Sequence, residues 1–350
     1  MAEFLEIAYT EVVVAAIIPA ALYYVAVFFY ADLEAARKNI PPVPEDQIPP
    51  LLRTLKEGWF FTLPFAVLIY ALFALNISPE EAALWASVCI VAVNWIFGYK
   101  GRRMSFRDIY NAIHDTGRGA VDIVIIGAMA GMMIGIIEVT GLGFGLTFVL
   151  VEFGEGNLLG LMVLTAVICI VLGMGMPTTA IYFLVATLAA PPLIKLGVNP
   201  LAAHMFVLYF GLVSLITPPV AVAAFVAANL AGAQPMETAV TSVRIGWTAL
   251  VVPMMFVLSP NLIMQGELLD ILIAVVTAFF GVWLATAGIM RYFVRPMGLT
   301  LCVVFVIAGL ALLLPARAFD GAGYIDIAGV ALALLLTGKE WYAKRQSPAL

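Results

Sequence analysis

Within the run from Gly173 to Gly232, nearly every residue is apolar or small, yet two proline-bearing motifs interrupt it. The first is Gly173-Met174-Gly175-Met176-Pro177-Thr178-Thr179; the second is Ser214-Leu215-Ile216-Thr217-Pro218-Pro219. Proline removes a backbone donor and pushes the preceding residue out of the α region, so each motif predicts a broken helix. In hydrocarbon, the freed N–H and C=O groups are tolerated only where they are buried in protein or line a wet cavity. Two hydroxyl-bearing breaks therefore predict a polar site at membrane depth. Half-helix N-termini would face anions there, and unwound carbonyls would face cations.

The rest of the chain agrees with membrane residence. Of 350 residues, 64% are hydrophobic and 11% charged, and mean hydropathy is +1.08, far from a soluble globular composition. The net charge of −5, with basic residues few and scattered, argues against a nucleic-acid partner and leaves the lipid bilayer as the surroundings. Cys89, Cys169 and Cys302 each lie in an apolar run, with neither metal-ligand nor disulfide spacing. The first twelve residues hold three carboxylates and no Lys or Arg, unlike a signal peptide.

Apolar runs long enough to cross a bilayer include 12–30, 59–76, 82–98, 120–140, 267–290 and 297–314, with Ile325–Leu336 last. Segment 100–118 is basic and amphipathic and predicts an interfacial helix, with His114 on its solvated face. In 120–140, Gly127, Gly131 and Gly135 recur every fourth residue, a small-residue face suited to close helix packing. A re-entrant hairpin is expected over 173–197, closing at Ala190-Pro191-Pro192, and a broken helix over 200–230. Three regions are expected: 1–119, holding the remainder of a first repeat, scaffold spans and the interfacial arm; 120–260, the transport region; and 261–350, the C-terminal spans. Basic residues cluster at 37–56, 100–107, 291–295 and 339–345, all placed on the cytoplasmic side by the positive-inside rule. Residues 2–8 weakly match 227–233, as an internal repeat would.

These residues carry a resemblance. Together with Val139-Thr140-Gly141-Leu142-Gly143 and Asp32-Leu33-Glu34-Ala35-Ala36, the 173–232 stretch resembles the large membrane subunit of tripartite ATP-independent periplasmic (TRAP) transporters, DctM-like. The nearer likeness is to the fused-permease branch that works with TAXI-type binding proteins. It implies an all-α, multi-span, elevator-type carrier of the bacterial inner membrane. An ion gradient, normally Na⁺, would drive uptake of a small organic acid, such as a dicarboxylate, or an amino acid. No cofactor beyond the coupling ion is implied. The implied partners are a periplasmic TAXI-type substrate-binding protein and either a small membrane subunit or the N-terminal half of a longer permease. The chain looks like the C-terminal part of such a permease, with its first repeat incomplete. The alternative functions are therefore a truncated, non-transporting assembly subunit or relic, or an H⁺-coupled carrier.

By the resemblance, Gly173, Gly175, Pro177, Thr178 and Thr179 match the second hairpin tip, and Thr217, Pro218 and Pro219 the second broken helix. Thr178, Thr179 and Thr217 are the candidate Na⁺ ligands, since Na⁺ takes neutral hard oxygens from hydroxyls and carbonyls. Ser214 is a further hydroxyl. Asn229 is a polar candidate whose alternative is interhelical hydrogen bonding. With no Lys or Arg inside an expected span, helix N-termini would meet the substrate's charge. Glu138, with Asp122 on the same helix, is the candidate for proton coupling; the alternative is that both reach the interface. His204 reads as a helix-start residue. No nucleophile–base pair, metal triad or carboxylate dyad lies at depth, so an enzyme is not expected.

Overall fold

The computed structural model describes residues 1–98, 103–154, 157–315 and 321–346. Among them the chain is helical, without β-strands. Among the described residues, six helical segments are long and apolar enough to cross a membrane: Tyr9–Arg37, Leu51–Phe73, Thr178–Lys195, Pro235–Leu258, Leu268–Met290 and Ala322–Tyr342. The all-α, multi-span class expected from composition is the one observed.

The chain forms two compact units. One comprises residues 7–11 and 41–126. The chain's first helices are α1 (Ala2–Leu5) and α2 (Tyr9–Arg37), followed by α3 (Leu51–Gly58), α4 (Leu63–Phe73) and α5 (Pro79–Ile96). In this unit α4 and α5 form a hairpin around Ala71, Leu72 and Ala82. Its turn places Ser78 at the N-cap of α5, where the hydroxyl accepts from Glu81 N at 3.3 Å. Pro79 opens the helix and Glu80 and Glu81 complement its dipole, as that sequence predicts.

Next is α6 (Phe106–Thr140), a single helix of 35 residues, about 52 Å long at 1.5 Å per residue. The sequence suggested an interfacial helix ending near 118 and a separate span from 120. The change from charged to apolar residues there is a change of surroundings, and no proline enforces a break. Of the expected glycine face of α6, Gly127 lies outside the described residues, and a Cβ on Gly131 or Gly135 would meet nothing within 4 Å among them.

The other unit comprises 1–6, 12–40 and 127–350. Gly141, at φ +68°, ends α6, and α7 (Leu142–Gly154) and α8 (Leu158–Gly173) follow. After the first break come α9 (Thr178–Leu188) and α10 (Ala190–Lys195). Pro191 and Pro192 lie in the opening turn of α10, where their missing N–H groups cost little, so they start a helix rather than close a hairpin. Then come α11 (Pro200–Val213), the second break, α12 (Val222–Ala231), α13 (Pro235–Ile245) and α14 (Thr248–Leu258). Last are α15 (Leu268–Met290), α16 (Leu299–Leu313) and α17 (Ala322–Gln346).

α11 is the central helix: it packs against α8, α9, α10 and α14, and Phe206 and Phe210 on it are fully enclosed. In lipid no hydrophobic force favours this burial, so close packing must hold the helices together. Small residues make that packing possible. A Cβ on Gly281 would sit 2.7 Å from Gly309 O, and one on Gly288 2.7 Å from Cys302 O, so α15 and α16 touch backbone to backbone. Leu33 of α2, Leu284 of α15, Phe305 of α16 and Leu336 of α17 share one core. Beside it Arg295 forms a two-pronged ion pair with the buried Glu340, at 2.8 and 3.0 Å.

The matched segments 2–8 and 227–233 end their helices out of the matched register. α1 ends on a left-handed residue, Glu6 at φ 53°, and α12 on Gly232 at φ 64°, one position out of the matched register. Phe4 of α1 packs edge-on against Tyr182 of α9, with centroids 5.8 Å apart.

Candidate functional site

Both proline motifs interrupt helices, and the two interruptions touch. α8 stops at Gly173 and α9 resumes at Thr178. Gly175 in between, at φ +78°, takes a left-handed conformation that suits glycine. α11 stops at Val213, three residues before the expected Ile216. From Ser214 to Thr217 each N–H bonds the carbonyl three residues back, at 3.3, 3.0, 3.1 and 3.4 Å, the tighter winding that often ends a helix. The Pro218–Pro219 peptide bond is cis. Ala221, at φ 31°, then turns the chain into α12.

The contact is made through absent side chains. A Cβ on Gly173 would lie 2.6 Å from Gly211 O and 2.7 Å from Ser214 Oγ; one on Gly211 would lie 2.5 Å from Ile181 Cγ2. The last turn of α8 therefore lies directly on the last turn of α11, with α9 against the same helix. Gly175 faces Val220 in the second break, at 4.0 Å from its would-be Cβ. Sequence reasoning picked Gly173 but not its partner Gly211, whose only signal is a lone glycine inside a helix.

The hydroxyls divide into two kinds. Ser214, buried, donates to Gly211 O at 2.6 Å, and Thr217 donates to Val213 O at 2.8 Å. Such bonds leave each oxygen's lone pairs available to a cation. Thr178 and Thr179 are exposed, and their side chains have no hydrogen-bond partner among the described residues. They open α9, whose N-cap is Pro177, so no side chain caps its first N–H groups. The first N–H with a carbonyl partner is that of Ile181, on Pro177 O at 3.0 Å. In the second break, the carbonyls of Ile216, Pro218, Pro219 and Val220 receive no backbone donor among the described residues. The first break thus presents the free N–H groups of a helix start, and carbonyls are left over at both, since those of Met174, Gly175 and Met176 also receive no backbone donor among the described residues.

Asn229 is not brought to this junction: it is exposed in the last turn of α12, about 10 Å along the axis from Val222. Asp122 and Glu138 lie on α6, and their side chains fall outside the described residues. His204 is buried, its Nδ1 2.8 Å from Tyr182 Oη, which ties α11 to α9. His114 is exposed.

A multi-pass α-helical membrane protein whose discontinuous helices meet end against end belongs structurally with the membrane transporters. A model of the family described as "Tripartite ATP-independent periplasmic transporter, DctM component" matches residues 1–255, and the chain belongs to that family. It is a membrane permease component of the TRAP type, a transporter class rather than an enzyme class, whose members work with a periplasmic binding protein and a small membrane subunit. No curated protein and no solved structure matched the chain.

Proposed function

We propose that this chain moves a small organic acid or amino acid across the bacterial inner membrane, driven by a Na⁺ gradient and supplied by a TAXI-type periplasmic binding protein. The site is the junction of the two breaks. Gly173, Gly175, Pro177, Ser214, Pro218 and Pro219 shape it. The hydroxyls of Thr178, Thr179 and Thr217 and the free carbonyls of the second break hold Na⁺. The uncapped N-terminus of α9 takes the substrate's carboxylate, because aligned N–H groups and the positive end of the helix favour anions. The region carrying both breaks moves as one body in an elevator motion.

The observation that supports this reading is the contact of Gly173 with Gly211 and Ser214, which joins interruptions about 40 residues apart in sequence into one locus of unpaired backbone. The TAXI type and the fused-permease branch rest on the resemblance of the 173–232 motifs. In proteoliposomes holding the complete permease and its binding protein, uptake is expected to require an inward Na⁺ gradient. Thr178→Ala combined with Thr217→Ala should abolish it. Unchanged Na⁺ coupling in that double variant would rule the site out.

A further inference from the structure

Away from the breaks, three arginines distant in sequence line one cavity of about 450 Å³: Arg37, Arg244 and Arg291, with Ile289 beside them. Each marks the end of a helix. Arg37 is the last residue of α2, Arg244 stands in the last turn of α13, and Arg291 is the left-handed C-cap of α15, at φ 55°. α2 and α15 are apolar enough to span, so a pocket at their ends lies at the membrane–water interface. That placement also settles the depth of Arg244. By composition alone, Pro235–Leu258 is one candidate span with this arginine near its middle, a costly position in lipid. Its company with Arg37 and Arg291 puts it at the interface, on the side to which the basic loops are assigned.

The simplest account is that these guanidiniums answer the carbonyls of three helix C-termini. Arg37 does so in part: one of its N–H groups donates to Met290 O at 3.4 Å, while another pairs with Glu34 at 2.8 Å. Lys38 shares the same carboxylate at 2.8 Å. Arg244 and Arg291 have no carboxylate partner among the described residues. Each C-terminus carries roughly half a negative charge. Three such ends plus Glu34 therefore leave the four cations with an excess of about one to two positive charges. The cavity is also far larger than carbonyl contacts require, given about 30 Å³ per water in the liquid.

We propose that this pocket binds a phosphate oxyanion at the interface, the headgroup phosphate of an anionic phospholipid. Arg244 and Arg291 are its principal ligands and Arg37 the third wall. Guanidinium forks match phosphate oxygens two at a time. Basic pockets between spans on the cytoplasmic side meet the leaflet richest in anionic lipid. Bound there, one headgroup would tie together the ends of α2, α13 and α15.

The full chain, purified in detergent, would be titrated with phosphatidylglycerol or phosphatidylcholine and the retained lipid counted by native mass spectrometry. Phosphatidylglycerol should be retained in preference. Arg244→Gln should weaken its retention about fivefold, the effect of roughly one basic side chain at an anionic surface, and Arg244→Gln with Arg291→Gln should remove the preference. Lys56→Gln with Lys195→Gln, which deletes the same charge elsewhere, should leave it intact. Millimolar inorganic phosphate that displaces the lipid would support the oxyanion site and identify a soluble anion as able to fill it. Equal retention of both lipids by the unaltered chain would overturn the proposal even if no variant folds. So would undiminished preference in the double arginine variant. Loss of the small membrane subunit from that variant, with lipid retention unchanged, would overturn it in favour of a protein carboxylate.

Discussion

The two breaks begin alike and end differently. The first spans only Met174–Pro177 before α9 starts, so the helix opens with its N–H groups and two threonine hydroxyls exposed. The second spans Ser214–Ala221, long enough to wind back on itself. All its N–H groups but that of Val220 bond preceding carbonyls, and Ala223 N reaches back to Leu215 O at 3.0 Å. The hydroxyls of Ser214 and Thr217 are likewise turned onto their own helix. What proline leaves available thus depends on the length of the link. The short link leads straight into a helix N-terminus whose first N–H groups are free, whereas the long one pairs most of its donors; both leave carbonyl oxygens over. A permease that handles a cation and an anion together needs both kinds of end.

That contrast depends on the two ends staying in contact, so the largest effect is expected where the contact is made. Gly173→Ala would place a methyl 2.6 Å from a backbone carbonyl and 2.7 Å from Ser214 Oγ, and a carbonyl in a helix end cannot rotate away as a flexible side chain can. Overpacking of this kind costs about 1–3 kcal/mol. Thermal unfolding should move a few degrees lower, and uptake should fall more than binding-protein docking does. An alanine variant with unaltered melting and unaltered uptake would mean that the two ends do not touch in the working protein.

If Thr217 serves only the cation while the start of α9 serves both ligands, single variants should separate the two roles. Thr217→Ala is expected to raise the Na⁺ concentration for half-maximal uptake about tenfold, the worth of one hydrogen-bonding group to a charge, with substrate KM nearly unchanged. Thr178→Ala should raise both constants, because its hydroxyl is a Na⁺ ligand and its loss also disturbs the start of α9, where the carboxylate is held. Initial uptake rates, measured over a grid of Na⁺ and substrate concentrations, give both constants. Equal shifts of both constants in both variants would merge the breaks into one undivided site.

Much of this was legible because proline acts locally. Pro19 and Pro253 lie inside α2 and α14 without ending them, but Pro177 follows two glycines and Pro218 precedes a second proline, and there the break could be read without a structure. Contacts across forty residues are different in kind. Gly173 announces flexibility but not Gly211, and Arg244 announces charge but not Arg37 or Arg291. The glycine repeat of α6 shows the same limit from the other side. Gly131 and Gly135 have the spacing of a packing face and nothing packed on it among the described residues, whereas Gly281 and Gly309, 28 residues apart and without a local motif, bring two helix backbones into contact. Spacing describes one surface, and packing needs two. The seam expected near residue 119 failed for a related reason: Gly117 and Gly119 lower helix propensity by about 1 kcal/mol each, which a 35-residue helix absorbs.

The smallest expected effect tests where the site stops. Asn229 was attractive in sequence as a lone amide in an apolar helix. In the structure it is exposed near the C-terminal end of α12, about two helical turns from the unpaired carbonyls that precede Ala221. Its own carbonyl accepts from Gly232 N at 3.4 Å in the helix cap, a role any residue's backbone can fill. Asn229→Ala should therefore leave both half-saturation constants within about twofold, since surface substitutions away from special features usually stay within about 0.5 kcal/mol. A tenfold change in the Na⁺ constant would extend the cation path along α12, and the acceptor end of the site would then be a groove rather than a turn.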